Sequence, residues 1–160
     1  MSTITATDFQ ATASNALERM AFVITEPGVE TAGEVLANAG YNALIEITGE
    51  EPGDAPRAFL VVSATRGFVG EVAAGMMGMD PGEIDVDEHG EATVAELANI
   101  LGGELVMAMG GAERPLRLGL PQSVTDEVAG TRIDAIADGK RGWTCVLKSE
   151  SGLLLVGCTH

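Results

Sequence analysis

The sequence predicts an α+β domain, with a largely antiparallel sheet and helices packed on one face. Three observations lead there. The elements run helix, two strands, two helices, then three or so strands, so strands and helices come in blocks instead of alternating. Two strand pairs, one central and one at the C-terminal end, are joined by turn-forming loops and read as antiparallel hairpins. With 46% hydrophobic residues and only 4% aromatics, the chain has an ample and mostly aliphatic core.

The 160 residues suit a single domain, taken as residues 1–160. A domain of that size buries roughly 70% of the surface its unfolded chain exposes. Nine basic against 24 acidic residues leave a net charge of −15. Such a surface repels phosphate backbones and anionic bilayers, which excludes nucleic acid and membranes as expected partners. No apolar run approaches the ~20 residues that span a bilayer, and the N-terminal MSTITATDFQ lacks the basic and apolar regions of a signal peptide. A cytoplasmic location is therefore expected, with Cys145 and Cys158 as free thiols. A disulfide across the last hairpin is the alternative. Two cysteines and two histidines (His89 and His160) do not make a metal-ligand cluster.

Taken in order, Thr7-Asp-Phe-Gln10 is a capping-box pattern. It opens a helix over Asp8–Phe22 with Phe9, Ala13, Ala16, Leu17 and Met20 as its apolar stripe. Glu26-Pro27-Gly28 reads as a turn. The stretch from Val29 to Gly40 fits either a short helix ending at Gly40 or an extended approach to the next strand. Tyr41–Thr48 and Arg57–Ser63 are strands flanking the turn chemistry of Gly49–Pro56. Thr65 is placed to cap a helix over Arg66–Met77, with Phe68, Val69, Val72 and Met76 facing the core. After the Asp80-Pro81-Gly82 turn, the acidic stretch Glu83–Glu91 reads as a charged connector. It does not match the spacing of an EF-hand calcium loop.

A long helix is expected over Glu91–Met109, stopping at Gly110-Gly111. Val94, Leu97, Ala98, Leu101, Leu105 and Ala108 form a stripe at spacings of three and four. The opposite side carries Ala92, Glu96, Asn99 and Gly103, flanked by Ile100, Val106 and Met107. A helix facing only water would fill such positions with Lys, Glu and Gln. Here one carboxylate and one carboxamide, neighbours at i and i+3, stand among small and apolar residues. Beyond a loop at Glu113-Arg114-Pro115, Leu116–Val124 reads as extended, with Pro121 confining it to an edge or bulge. Thr125–Lys140 reads as irregular with a short strand at Arg132–Ala135. Trp143–Lys148 and Leu153–Cys158 close the chain as a hairpin about Ser149–Gly152.

E-x-x-N alone is a common accident of long helices. Its combination with AELANILGGELVMAM and the later LGLPQSV resembles the CheC/CheX/FliY phosphatases of bacterial chemotaxis, CheX most of all. ALIEITG, RAFLVVSAT and GFVGEVAAGMMGM extend the likeness upstream, over about Tyr41 to Val124. The resemblance implies a CheX-like version of the same α+β architecture. It assigns Glu96 and Asn99 as the paired site residues and Pro121 as the accompanying proline. Ala92 and Gly103 leave the backbone low on either side of the pair, and with Pro121 they are the expected partner-contact positions. Many members carry Asp or Ser where this chain has Ala92. A second site is not expected, because Glu34 and Asn38 are four residues apart.

The chain contains no nucleophilic triad, Walker loop or G-x-G-x-x-G. The resemblance implies a protein that removes phosphate from the aspartyl phosphate of a CheY-like response regulator. Asn99 would orient the attacking water and Glu96 would anchor the regulator. The protein has no cofactor of its own in this reading, and Mg²⁺ belongs to the regulator. In assembly the resemblance implies a homodimer joined at sheet edges. The alternative function is a non-catalytic dimeric adaptor that binds a response regulator; a structural subunit of a flagellar switch fits less well.

Overall fold

The computed structural model describes residues 4–49, 51, 53–110, 115–137 and 141–159. Among them the order is α1 (Ala6–Ala21), β1 (Glu26–Pro27), α2 (Ala32–Asn38), β2 (Ala39–Gly49), β3 (Pro56–Thr65), α3 (Arg66–Met77), a 3₁₀ turn (Pro81–Glu83), α4 (Val86–Met109), β4 (Leu116–Leu118), β5 (Gln122–Ser123), α5 (Asp126–Ala137), β6 (Gly142–Lys148) and β7 (Leu153–Thr159). All the strands pair antiparallel in one sheet, ordered β1-β6-β7-β3-β2-β4, with β5 also on the outer side of β2. The expected α+β class and antiparallel sheet are both present.

Period-two alternation along the strands sends side chains to two cores. Ala43, Ile45 and Ile47 of β2, with Leu60 and Val62 of β3, join Leu154 and Val156 of β7 in the larger one. There α1, α3 and α4 supply Phe9, Leu17, Phe68, Val72, Leu97 and Leu101. Leu44, Val61, Val146 and Leu155 point the other way, onto Val35 of α2 and Ala129 and Ile133 of α5. The expectation of helices on one face therefore holds for α1, α3 and α4. It needs correction for α2 and α5, because the second sheet face is itself apolar and requires cover.

Several boundaries differ from the sequence expectation for identifiable reasons. α1 starts two residues early, since Thr5 forms the reciprocal capping box with Asp8. It stops at Ala21, and Phe22 takes the left-handed conformation (φ 57°) while donating its N–H to Glu18 and Leu17 carbonyls. Glu26-Pro27 is not a free turn but a two-residue strand on Lys148 and Leu147. The segment left open before β2 is helical, because Thr31 and Glu34 form a second capping box. Thr65 stands at the start of α3 but its hydroxyl accepts from Leu153 N–H at 3.0 Å, so it ties the terminal hairpin down instead of capping.

Two larger corrections bear on the site. The acidic stretch before the long helix is not a connector. Asp85 caps α4 by accepting from the N–H groups of Asp87 and Glu88 at 3.1 and 3.3 Å, so the helix starts at Val86. Acidic residues are favoured in such a first turn by the helix dipole. Extended in this way, α4 is long and apolar enough by length and composition to cross a membrane, contrary to expectation. In this fold Thr93, Val94, Leu97, Ala98, Leu101 and Leu105 bury that apolar surface within the protein. The second correction is α5, which replaces the expected irregular segment and short strand. Thr125 caps it, accepting from Val128 N–H at 3.2 Å. Its core contacts, Ala129, Ile133 and Ile136, recur at helical spacing. Arg132 on its flank lies over the Phe59 ring, 4.5 Å from the centroid.

Gly111, Glu113, Arg114, His160 and residues 138–140 of the expected loops fall outside the described residues. Cys145 and Cys158 are free and buried, offset on β6 and β7 so that Trp143 lies opposite Cys158. Burial pushes both thiols up to about 12, away from the reactive thiolate. At pH 8 this leaves roughly a thousandfold less thiolate than an ordinary cysteine. Iodoacetamide is expected to leave both unmodified in the native protein and to alkylate both in denaturant, as read by intact mass. Rapid native alkylation would contradict the placement of either thiol.

Candidate functional site

The site is built on α4. Its inner stripe of Val94, Leu97, Ala98, Leu101 and Leu105 is almost wholly buried against the sheet and the neighbouring helices. At about 100° per residue, that burial turns Ala92, Glu96, Asn99 and Gly103 outward. Glu96 and Asn99 are both exposed. Among the described residues neither forms an intramolecular hydrogen bond or ion pair. One turn beyond Asn99, Glu104 pairs with Arg19 at 2.8 Å and ties the helix to α1. At the other end Asp87 pairs with Arg66 of α3. That pair lowers the Asp87 carboxyl and raises the Arg66 guanidinium, chiefly through their hydrogen bond.

Two glycines shape the surroundings in opposite ways. Gly102 faces inward, where an added Cβ would stand 2.7 Å from Leu118 and 3.4 Å from Ile45, so its bareness lets β4 lie close to the helix. Gly103 faces outward and nothing lies within 4 Å of the position a Cβ would occupy. The backbone is therefore open to approach beside Asn99. Met107, 79% exposed, follows one turn later.

The extended segment after the helix forms the other bank. As expected it lies on the sheet edge, but in two pieces. Gly119 N–H reaches Glu46 C=O at 2.8 Å and Val124 N–H reaches Asn42 C=O at 3.1 Å. Between these bonds Leu120-Pro121 leaves the ladder, since proline has no N–H to donate. Leu120 is 86% exposed and Pro121 half-buried, next to the face of α4 that touches β4 and β5. Alongside, between the first half of α4 and this edge, opens a cavity of about 310 Å³ bordered by Tyr41, Glu91, Val94, Ser123 and Thr125. Sequence reading missed it, because its walls come from three separated segments with no shared motif.

The other Glu/Asn pair serves local structure. Glu34 closes the α2 capping box on Thr31 N–H at 2.7 Å, and Asn38 donates to Glu34 C=O at 3.0 Å. Among the described residues no group of three His, Cys, Asp or Glu side chains is placed to hold a metal ion.

No protein-family model and no curated protein matches the sequence. Solved structures do match. Chemotaxis protein CheX from Vibrio vulnificus superposes with a TM-score of 0.65 at 16% identity, covering 94% of this chain and 92% of that one. This is the CheX fold. A CheX from Desulfovibrio desulfuricans gives 0.63 at 18% identity over 96% of both chains. The CheX–CheY–BeF₃–Mg²⁺ complex from Borrelia burgdorferi gives 0.60 at 16% identity over 98% of both. The CheX likeness thus runs nearly end to end, well beyond the Tyr41–Val124 span of the sequence resemblance, and at these identities it is a likeness of fold.

Because Gly103 meets open space, Gly103→Ala is expected to stabilise α4 by about 1 kcal/mol through helix propensity alone, measured by urea unfolding. A loss of stability there would mean that the outer face is packed against something.

Proposed function

We propose that this protein is a CheX-like phosphatase that hydrolyses the aspartyl phosphate of a CheY-like response regulator. The observation that carries the reading is the pairing of Glu96 and Asn99, exposed together on one outward face of a helix that is held at both ends. The CheX fold supports it, as does the existence of a CheX–CheY complex among the structures of that fold.

The chemistry asked of this chain is modest. An acyl phosphate is already activated, and Mg²⁺ on the regulator's own acidic pocket supplies charge neutralisation. What a helper adds is an ordered water. The Asn99 carboxamide oxygen accepts a hydrogen bond from that water while its NH₂ donates nearby, as an amide side chain does for the attacking water of GTPases. A carboxamide is not a base, so Asn99 orients the water and does not deprotonate it. Glu96, almost one turn earlier, pairs with a cationic side chain of the regulator and sets the register of the helix over the phosphoryl group. Gly103 and Ala92 let the two surfaces close, and Pro121 holds the facing bank. The substrate places the activity in the cytoplasm.

The adaptor reading draws on Ala92, which is exposed and offers no polar group to the partner. The two readings separate in one assay on a phosphorylated response regulator. Asn99→Ala is expected to slow dephosphorylation roughly 100-fold, the scale of a lost positioning contact, with regulator binding kept. Glu96→Ala is expected to weaken binding. Equal decay with and without the wild-type protein would leave only the adaptor.

We also propose a homodimer. The outer edge of β6 is covered by β1 at Leu147 and Lys148, and by Gly28 N–H and the Gln10 side chain at the Val146 carbonyl, which leaves the stretch from Gly142 to Cys145 for another strand. Sedimentation equilibrium is expected to return twice the chain mass; a clean monomer at working concentration would remove the dimer.

A further inference from the structure

We propose that the cavity beside α4 receives a basic side chain, the alkyl guanidinium or ammonium of the regulator that docks on Glu96 and Asn99. This rests on the docking face proposed above and adds a second anchor to it.

The cavity's size and lining both fit such a group. At about 310 Å³ it lies at the lower end of small-ligand sites. Tyr41 and Val94 give it an apolar wall, while the Glu91 carboxylate and the Ser123 and Thr125 hydroxyls give it acceptors. Lys and Arg have the same division, an apolar stem and a cationic head, and the Tyr41 ring offers a face for the cation. Among the described residues no Lys or Arg borders the cavity. Arg66, which touches the Tyr41 hydroxyl, is already neutralised by Asp87. Glu91 is exposed and, among the described residues, has no hydrogen-bond or ion-pair partner of its own. A cation entering here therefore displaces no internal contact.

Position argues for a macromolecular source of that cation. Glu91 stands about 7.5 Å before Glu96 and about 12 Å before Asn99 along the helix axis, within reach of one docked domain. Ser123 follows Pro121 by two residues on the facing bank. At about 100° per residue Glu91 lies about 80° around the helix from Asn99, so the cavity opens on the flank between the docking face and the β4–β5 edge. A net charge of −15 further favours a basic visitor.

The test is Glu91→Gln, which keeps shape and removes charge. Dephosphorylation is followed over a range of regulator concentrations at 50 and 200 mM salt, with Asn99→Ala in parallel. Glu91→Gln is expected to raise KM about 10-fold and flatten its salt dependence, whereas Asn99→Ala lowers kcat. An unchanged KM with an unchanged salt response overturns the proposal. Titration with agmatine, followed by amide NMR shifts, reads the cavity without any regulator. Shifts at Tyr41, Ser123 and Thr125 that vanish in Glu91→Gln support it, and their absence in the wild type overturns it. Agmatine shifts combined with a KM indifferent to Glu91→Gln overturn it too, since the cavity would then serve a small guanidinium compound. If the wild type dephosphorylates no regulator, the phosphatase reading fails separately, and the titration still decides whether the cavity takes a cation.

Discussion

Burial of one stripe of α4 governs the rest of the molecule. Leu97, Leu101 and Leu105 are fully buried, and each contributes about 2 kcal/mol relative to exposure. Turning the helix enough to expose them would cost about as much as the whole stability of an ordinary domain. The outward direction of Glu96 and Asn99 is therefore a by-product of hydrophobic packing, and neither residue has to hold itself in place. The docking role proposed for the pair gains from this arrangement, because both polar groups are presented to solvent on a helix fixed by its packing.

The acidic residues before the helix take on a structural meaning in the same frame. Asp85 satisfies two N–H groups that the helix start leaves without partners, and Asp87 clasps Arg66. These contacts extend α4 by a turn and a half beyond its expected start. Glu91, expected as the first residue of the helix, thereby sits inside it, on the wall of the cavity. What looks in the sequence like undifferentiated negative charge is divided into a cap, a clasp and a carboxylate without an internal partner.

The parts of the fold that were legible are those where the signal is local. The α3 boundaries and the two hairpins follow from apolar periodicity and turn chemistry, and the site helix from its stripe of three and four. The first helix starts two residues before its expected position because Thr5, with Asp8 three residues on, takes the cap that the Thr7-Asp-Phe-Gln10 pattern also signals. The helix after Thr125 was unreadable for a different reason. Its three core contacts, the buried Ala129 and Ile133 and the half-buried Ile136, are too sparse to outweigh the polar residues between them until the second face of the sheet is known to need cover.

By itself the sequence determined that Glu96 and Asn99 share a helix face opposite an apolar stripe, because helical geometry converts spacing directly into direction. It also determined that Pro121 interrupts an edge, because a residue without an N–H cannot continue a ladder. Only the tertiary structure decided that both sheet faces carry helices, and that the β4–β5 edge lies against α4. It alone brought Tyr41, Glu91 and Thr125 around one cavity. Those outcomes depend on contacts between residues far apart in the chain, set by which surfaces remain to be buried after the local elements have formed.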